Sequence, residues 1–166
     1  MAKTYYIRQA TREDIPHIQE LLKITWHKSY DLPLGKERVT ELTKQWHTTE
    51  RLEKDLNKDH CKFLVCEENG EIIATSFLNH QENTAILGRM YIHPNHQNKG
   101  IGSQLMEKIL ASKAKGTCIS LTVEPQNTSA IEFYKKFGFK IEGQGSCSED
   151  PHEDIPTLIM KRIETD

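Results

Sequence analysis

The residues best spaced for chemistry lie in Met90-Tyr-Ile-His-Pro-Asn-His-Gln97-Asn-Lys-Gly100-Ile-Gly102, where a strand end, a glycine-containing loop and a helix start follow in succession. Such a loop turns several backbone N–H groups toward one point. The helix dipole adds about half a positive charge there, which suits a phosphate or pyrophosphate. Gly100 and Gly102 carry no side chain to keep an anion from the backbone, and Lys99 adds charge. Two nucleotide motifs fail on the letters: a dinucleotide fingerprint requires Gly or Ala where Leu105 stands, and a phosphate loop requires Gly-Lys-Ser/Thr, whereas Gly35-Lys36 is followed by Glu37. On local grounds Gly-x-Gly also serves as a plain turn, since Gly is the default where φ is positive.

The elements that must position this segment follow from periodicity. Residues 4–10 alternate as a strand, and Thr11-Arg-Glu-Asp14 predicts a threonine-capped helix start with acids in its first turn. Ile15, Ile18, Leu21, Leu22, Thr25, Trp26 and Tyr30 then recur at helical spacing, and residues 34–58 read as one or two further helices. Residues 62–67 and 71–78 form a hairpin around Asn69-Gly70, and a third strand, 85–93, leads into the glycine loop. The loop feeds a helix with Ile101, Leu105, Met106, Ile109 and Leu110 on one stripe, stopped by Lys113-Ala-Lys-Gly116. Strand 117–124, helix 127–137 and two last strands, 139–142 and 155–162, paired across a polar loop, complete a mixed α/β sheet with no linker and no internal repeat.

Composition bounds the function classes. The 166 residues suffice for one domain, and 22 Lys and Arg against 24 Asp and Glu leave a net charge of −2 with no concentrated basic run, so a nucleic-acid partner is not expected. The amino terminus runs straight into a strand without a signal-peptide pattern, and no apolar stretch approaches the roughly 20 residues of a membrane span. Cys61, Cys66, Cys118 and Cys147 lack metal or redox spacing and fit reduced thiols, so a cytoplasmic location and no metal are expected.

Gln97-x-x-Gly100-x-Gly102 after Tyr-Ile-His-Pro resembles the acyl-CoA pyrophosphate signature of the GNAT superfamily of N-acyltransferases. Leu121-x-Val-x-x-x-Asn127-x-x-Ala130-x-x-x-Tyr134-x-x-x-Gly138-Phe139 is similar to that family's next strand and helix, and Ile7-Arg-x-Ala-Thr-x-x-Asp14 to its opening. The resemblance implies a single domain over residues 1–166, with a mixed, mostly antiparallel sheet splayed to admit acyl-CoA and flanked by helices. It implies that Met90, Tyr91 and Ile92 hold the pantetheine and thioester, that Gln97, Asn98, Lys99, Gly100, Ile101 and Gly102 take the pyrophosphate, and that Tyr134 protonates the leaving sulfur. Asn127 is expected to cap its helix and to touch the cosubstrate or substrate, with Ser129-x-x-Glu132 as a rival capping box. Gly88 inside a strand marks either a bulge or close approach, or a crowded packing site.

The implied reaction is acetyl transfer from acetyl-CoA to a primary amine. An ammonium of ordinary pKa about 10.4 must first lose a proton, so a base or water chain is expected. Many relatives place a glutamate just before the Arg-hydrophobic-Tyr stretch, where Gly88 stands here, and this leaves Glu124, His80, His93, His96 or water. Trp26, Tyr30 and Trp46 lie in the helical segment that flanks the acceptor in this family, although helical spacing more often marks core. The acids Glu149, Asp150, Glu153 and Asp154 would attract a polycation or simply face water. Asp154-Ile-Pro-Thr-Leu-Ile-Met-Lys and Glu-Phe-Tyr-Lys-Lys-Phe-Gly-Phe are similar to stretches of bacterial spermidine/spermine N-acetyltransferases, which makes a polyamine one acceptor to expect. A protein amino terminus, a lysine or another small amine is the alternative, as is a non-catalytic acyl-CoA sensor, and a homodimer is the default assembly.

Overall fold

The computed structural model describes residues 4–112, 117–146 and 156–163. The expected helix stop at Lys113-Ala-Lys-Gly116, Cys147 and the acids Glu149, Asp150, Glu153 and Asp154 lie outside the described residues. The described strands are β1 (Tyr6–Gln9), β2 (Cys61–Glu68), β3 (Glu71–Gln81), β4 (Thr84–Ile92), β5 (Cys118–Val123), β6 (Lys140–Ser146) and β7 (Pro156–Ile163). They form a mixed seven-stranded sheet in the order β1-β2-β3-β4-β5-β7-β6. The helices are α1 (Ile15–Leu34), α2 (Lys36–Trp46), α3 (Thr49–Leu56), α4 (Ile101–Ala111) and α5 (Thr128–Lys136). The chain divides into two compact units, residues 1–78 with 89–111 and residues 79–88 with 112–166, so that the boundary inside β4 falls between Gly88 and Arg89.

In the first unit β1 pairs antiparallel with β2, from Tyr6 opposite Glu67 to Gln9 opposite Leu64. The β2–β3 turn is Asn69-Gly70 with φ of 53° and 81°, the two positive values that this tight hairpin requires. Helix α1 starts later than its threonine predicts, because Arg12–Asp14 form a single 3₁₀ turn before it. Thr11 is the N-cap of that turn and forms a capping box with Asp14, whose carboxylate accepts the Thr11 N–H at 2.8 Å and its hydroxyl at 3.2 Å. The apolar stripe of α1 is buried as expected: Ile15, Ile18 and Leu22 join Leu52 of α3 and Phe63, Val65 and Phe77 of the sheet in one cluster.

The aromatic stripe is core rather than a lined cleft. Trp26 and Trp46 are each 5% exposed and pack edge to face at 5.3 Å, with Tyr30 stacked on Trp26 at 4.4 Å. Val39 and Leu42 of α2 close that cluster, so residues 34–58 make two helices whose apolar positions serve α1 and the sheet.

In the second unit β4 and β5 run parallel, with Thr84, Ala85 and Ile86 opposite Cys118, Ile119 and Ser120. Strand β7 pairs antiparallel with β5 over Cys118 to Val123 and with β6 on its other side, as the expected pairing across the polar loop requires. The β3–β4 connection at Glu82-Asn83 carries no Gly and escaped the sequence pattern, and Glu82 adopts φ 23°. Among the described residues no helix is long and apolar enough to cross a membrane.

Candidate active site

The second half of β4 begins with a bend. Arg89 has φ 46°, a left-handed value that costs energy for any residue with a Cβ. Gly88, which the sequence marks as the irregular position, is not the left-handed residue, and a Cβ there would meet nothing within 4 Å. The disturbance thus falls one residue on, and crowding does not explain the glycine. After the bend Met90, Tyr91 and Ile92 are half-buried, and the His93 N–H donates to the Ile73 carbonyl at 2.8 Å, keeping this stretch on the sheet.

The loop beyond is tied down by short hydrogen bonds. The Asn95 N–H donates to His93 Nδ1 at 3.1 Å, the His96 N–H to the His93 carbonyl at 2.8 Å, and Gln97 Nε2 to the Ile92 carbonyl at 3.3 Å. Gln97, Asn98, Lys99 and Gly100 are exposed, while Ile101 and Gly102 are buried and anchor the helix start with Leu105 and Met106. Asn98 and Gly100 hold φ of 63° and 87°. The first helical bond of α4 runs from Gln104 N–H to the Gly100 carbonyl at 3.1 Å, which leaves the amides of Ile101, Gly102 and Ser103 without intrahelical acceptors. A Cβ on Gly100 would meet nothing within 4 Å, so the approach to those amides is open. These groups fit a pyrophosphate, and Ser103 belongs with them although the motif stops at Gly102. Gln104 also reaches back, its Oε1 accepting the Tyr5 N–H at 3.0 Å.

Three further candidates sit on the second unit. Glu124 follows β5, is half-buried, and its carbonyl accepts the Asn127 N–H at 3.0 Å. Asn127 caps α5: its Oδ1 accepts the Ala130 N–H at 3.2 Å, so the rival box from Ser129 to Glu132 does not set the helix start. Tyr134 is half-buried between aromatic rings, 5.4 Å from Phe133 and 5.8 Å from Phe139 centroid to centroid. Desolvation pushes its phenol up to about 12, so it stays protonated throughout the neutral range. The structure thus gathers Met90 to Gly102 into one strand–turn–helix segment of the first unit and places Glu124, Asn127 and Tyr134 on the second.

The His93 ring accepts the Asn95 N–H at Nδ1, which engages that nitrogen in the loop's own structure. His96 packs edge to face on it at 5.6 Å.

The fold is that of an acetyltransferase family: the chain belongs to the acetyltransferase (GNAT) family, whose model matches residues 18–139. Among its relatives, an uncharacterized N-acetyltransferase of Methanocaldococcus jannaschii is 28% identical over 149 residues, 84% of this chain, and the chain spans 62% of that protein's length. A spermidine N(1)-acetyltransferase of Thermoplasma acidophilum is 28% identical over 143 residues, covering 82% of this chain and 88% of that protein. The crystal structure of the PaiA N-acetyltransferase from Thermoplasma acidophilum in complex with coenzyme A superposes with a TM-score of 0.81 at 25% identity, covering 97% of this chain and 99% of the other.

Proposed function

We propose that this chain transfers the acetyl group of acetyl-CoA to a primary amine, and that a polyamine is the first acceptor class to test. The observation that carries the proposal is the open, left-handed Gly100 before α4, with the amides of Ile101, Gly102 and Ser103 left for an anion. The Thermoplasma acidophilum matches support it, a curated sequence named for spermidine and a crystal structure in complex with coenzyme A.

Acetyl-CoA supplies the thioester, whose carbonyl carbon bonds to the neutral amine nitrogen as the C–S bond breaks. The chain's tasks are then distributed. The loop of Gln97 to Gly102 binds the pyrophosphate, with Lys99 adding charge, and the backbone of Met90 to Ile92 orients the thioester and polarises its oxygen. Glu124, or water, takes the proton that the ammonium must lose before attack; the second proton, shed by the nitrogen once the C–N bond forms, passes through water to the departing thiolate, which leaves as the thiol. Tyr134 serves the leaving sulfur as a hydrogen-bond donor. Full transfer from a phenol at about 12 to a thiolate of ordinary pKa about 8.5 runs uphill, so donation without complete transfer is the part its environment favours.

The deciding experiment incubates the chain with acetyl-CoA and a panel of polyamines, lysine peptides and amino-terminal peptides, and follows free thiol. Acceptor-dependent release with spermidine or spermine supports the proposal. Release with peptides alone moves the acceptor class, and cosubstrate binding without release on any amine favours a sensor. Tyr134→Phe should lower kcat at least tenfold with coenzyme A affinity unchanged. An undiminished kcat would remove Tyr134 from the reaction. In the unaltered chain no alkaline loss of kcat below about pH 11 should trace to this phenol, since it keeps its proton to about 12.

A further inference from the structure

Arg89 carries a backbone strain at φ 46°, and its side chain is held at two places. The guanidinium makes an ion pair with the carboxylate of Asp55 on α3, both side chains being 19% exposed. It also lies over the ring of Phe77 on β3, 5.9 Å from the centroid. Phe77 is itself 7% exposed and packs at 5.3 Å on Phe63, in the cluster that buries Leu52 of α3. Arg89 is therefore held from a helix and from the core at once, and Asp55 stands 34 residues earlier in the chain.

We propose that Asp55 is a positioning residue for acetyl-CoA. By fixing the Arg89 side chain it keeps the residue at φ 46°, and this bend sets the direction of the next three residues, Met90, Tyr91 and Ile92. Strand hydrogen bonding alone does not select that conformation, because an arginine released from its partner relaxes toward negative φ. A bend placed immediately before a backbone binding stretch turns every amide after it, so a small relaxation at Arg89 is felt along the thioester-holding segment. Asp55 itself need not touch the cosubstrate. The ion pair is half-buried and shared with an aromatic face, conditions under which a guanidinium is held more firmly than on an open surface.

The inference rests on the acetyl-CoA assignment above, and its test separates the two. Coenzyme A binding is measured by titration calorimetry well below the melting midpoint, with KM for acetyl-CoA and for the amine determined in parallel. Asp55→Ala should weaken coenzyme A and raise KM for acetyl-CoA about tenfold, the factor of one strained residue released, while KM for the amine moves little. Asp55→Glu should restore most of the affinity. At Arg89 the order should be unusual: Arg89→Gly, which accepts φ 46° without penalty, should bind coenzyme A better than Arg89→Ala. A merely structural ion pair would lower the melting midpoint of Asp55→Ala and leave the folded protein's affinity alone. Affinity within twofold of the unaltered chain overturns the inference, as does Arg89→Ala binding as well as Arg89→Gly. If Asp55→Ala does not fold, the isosteric Asp55→Asn and the Arg89 pair decide in the same way. Failure of the unaltered chain to bind coenzyme A overturns the acetyl-CoA assignment and this inference with it, whereas equal binding by chain and variant overturns the inference alone.

Discussion

Arg8 and Arg89 each reach an aspartate within the first compact unit, and the two pairs hold different kinds of structure. Arg8 grips Asp14 with two parallel bonds of 2.7 and 2.9 Å, is braced by Glu67 at 3.0 Å, and closes the corner where β1 hands over to α1. Its partner lies six residues away, and the backbone between them is already turned by Thr11. Arg89 joins elements far apart in the chain and holds a left-handed residue just ahead of the candidate binding stretch. The first pair stabilises a local corner between β1 and α1. The second, as inferred above, fixes an orientation, so its loss should register in affinity more than in folding.

The largest effect expected of this contrast is on stability at the first pair. Asp14 is 6% exposed and takes four hydrogen bonds, so Asp14→Ala should cost about 2–4 kcal/mol in urea unfolding, the low end because Arg8 keeps Glu67. Coenzyme A affinity of the folded variant should not change, and a loss there comparable to Asp55→Ala would erase the distinction between the pairs. The same carboxyl is held below the usual range, first by its bond to Arg8 and further by the Thr11 N–H, against the opposing desolvation. A lowered carboxylate contributes stability above its unfolded value of about 3.9 and loses it as pH falls through the folded value. The stability gap between the chain and Asp14→Asn should therefore be constant from about pH 5 to 8 and close below about pH 4, by chemical denaturation at each pH. A gap that persisted in acid would assign the loss to packing.

Gly100 sharpens the comparison by removing side chains from it. A Cβ there meets nothing of the chain within 4 Å, so Gly100→Ala should cost about 1 kcal/mol of stability through the strain of φ 87°, and should weaken coenzyme A moderately because a methyl enters the anion's approach. Gly100→Asp adds a negative charge at the same place and should weaken coenzyme A at least tenfold, read as a lost melting shift on cosubstrate addition. Equal shifts in the two variants would mean that no anion sits at this loop.

The difference between the pairs also explains what the sequence could disclose. The Arg8-to-Asp14 corner is visible as Ile7-Arg-x-Ala-Thr-x-x-Asp14, and the pyrophosphate loop as Gln97-x-x-Gly100-x-Gly102, because both are local and their chemistry is carried by neighbours. Strand order through the Asn69-Gly70 hairpin and the helical stripes was equally legible, since turn residues and periodicity act over a few positions. Asp55 left no trace: one acid among several on a polar helix acquires its partner only when β4 arrives beside α3. The sequence marks Gly88 because glycine is the usual residue at such a place, whereas the left-handed residue is Arg89, whose side chain meets Phe77. The tryptophans were legible as a stripe, and burial to 5% decides that they are core.

Asn127 gives the smallest expected effect and asks to which kind of pair a candidate site residue belongs. Its Oδ1 accepts the Ala130 N–H at 3.2 Å, satisfying one of the amides that α5 would otherwise leave exposed at its start. Asn127→Ala should therefore cost about 1 kcal/mol, and Asn127→Asp or Asn127→Ser, which cap as well, should recover it. If Asn127 resembles Asp14, all three variants bind coenzyme A like the unaltered chain. If it also serves the cosubstrate, its side-chain amide is the only donor it offers beyond the backbone, so Asn127→Asp should restore stability while leaving KM for acetyl-CoA raised. The two readouts part company in that variant, because aspartate keeps the cap acceptor and removes the amide donor.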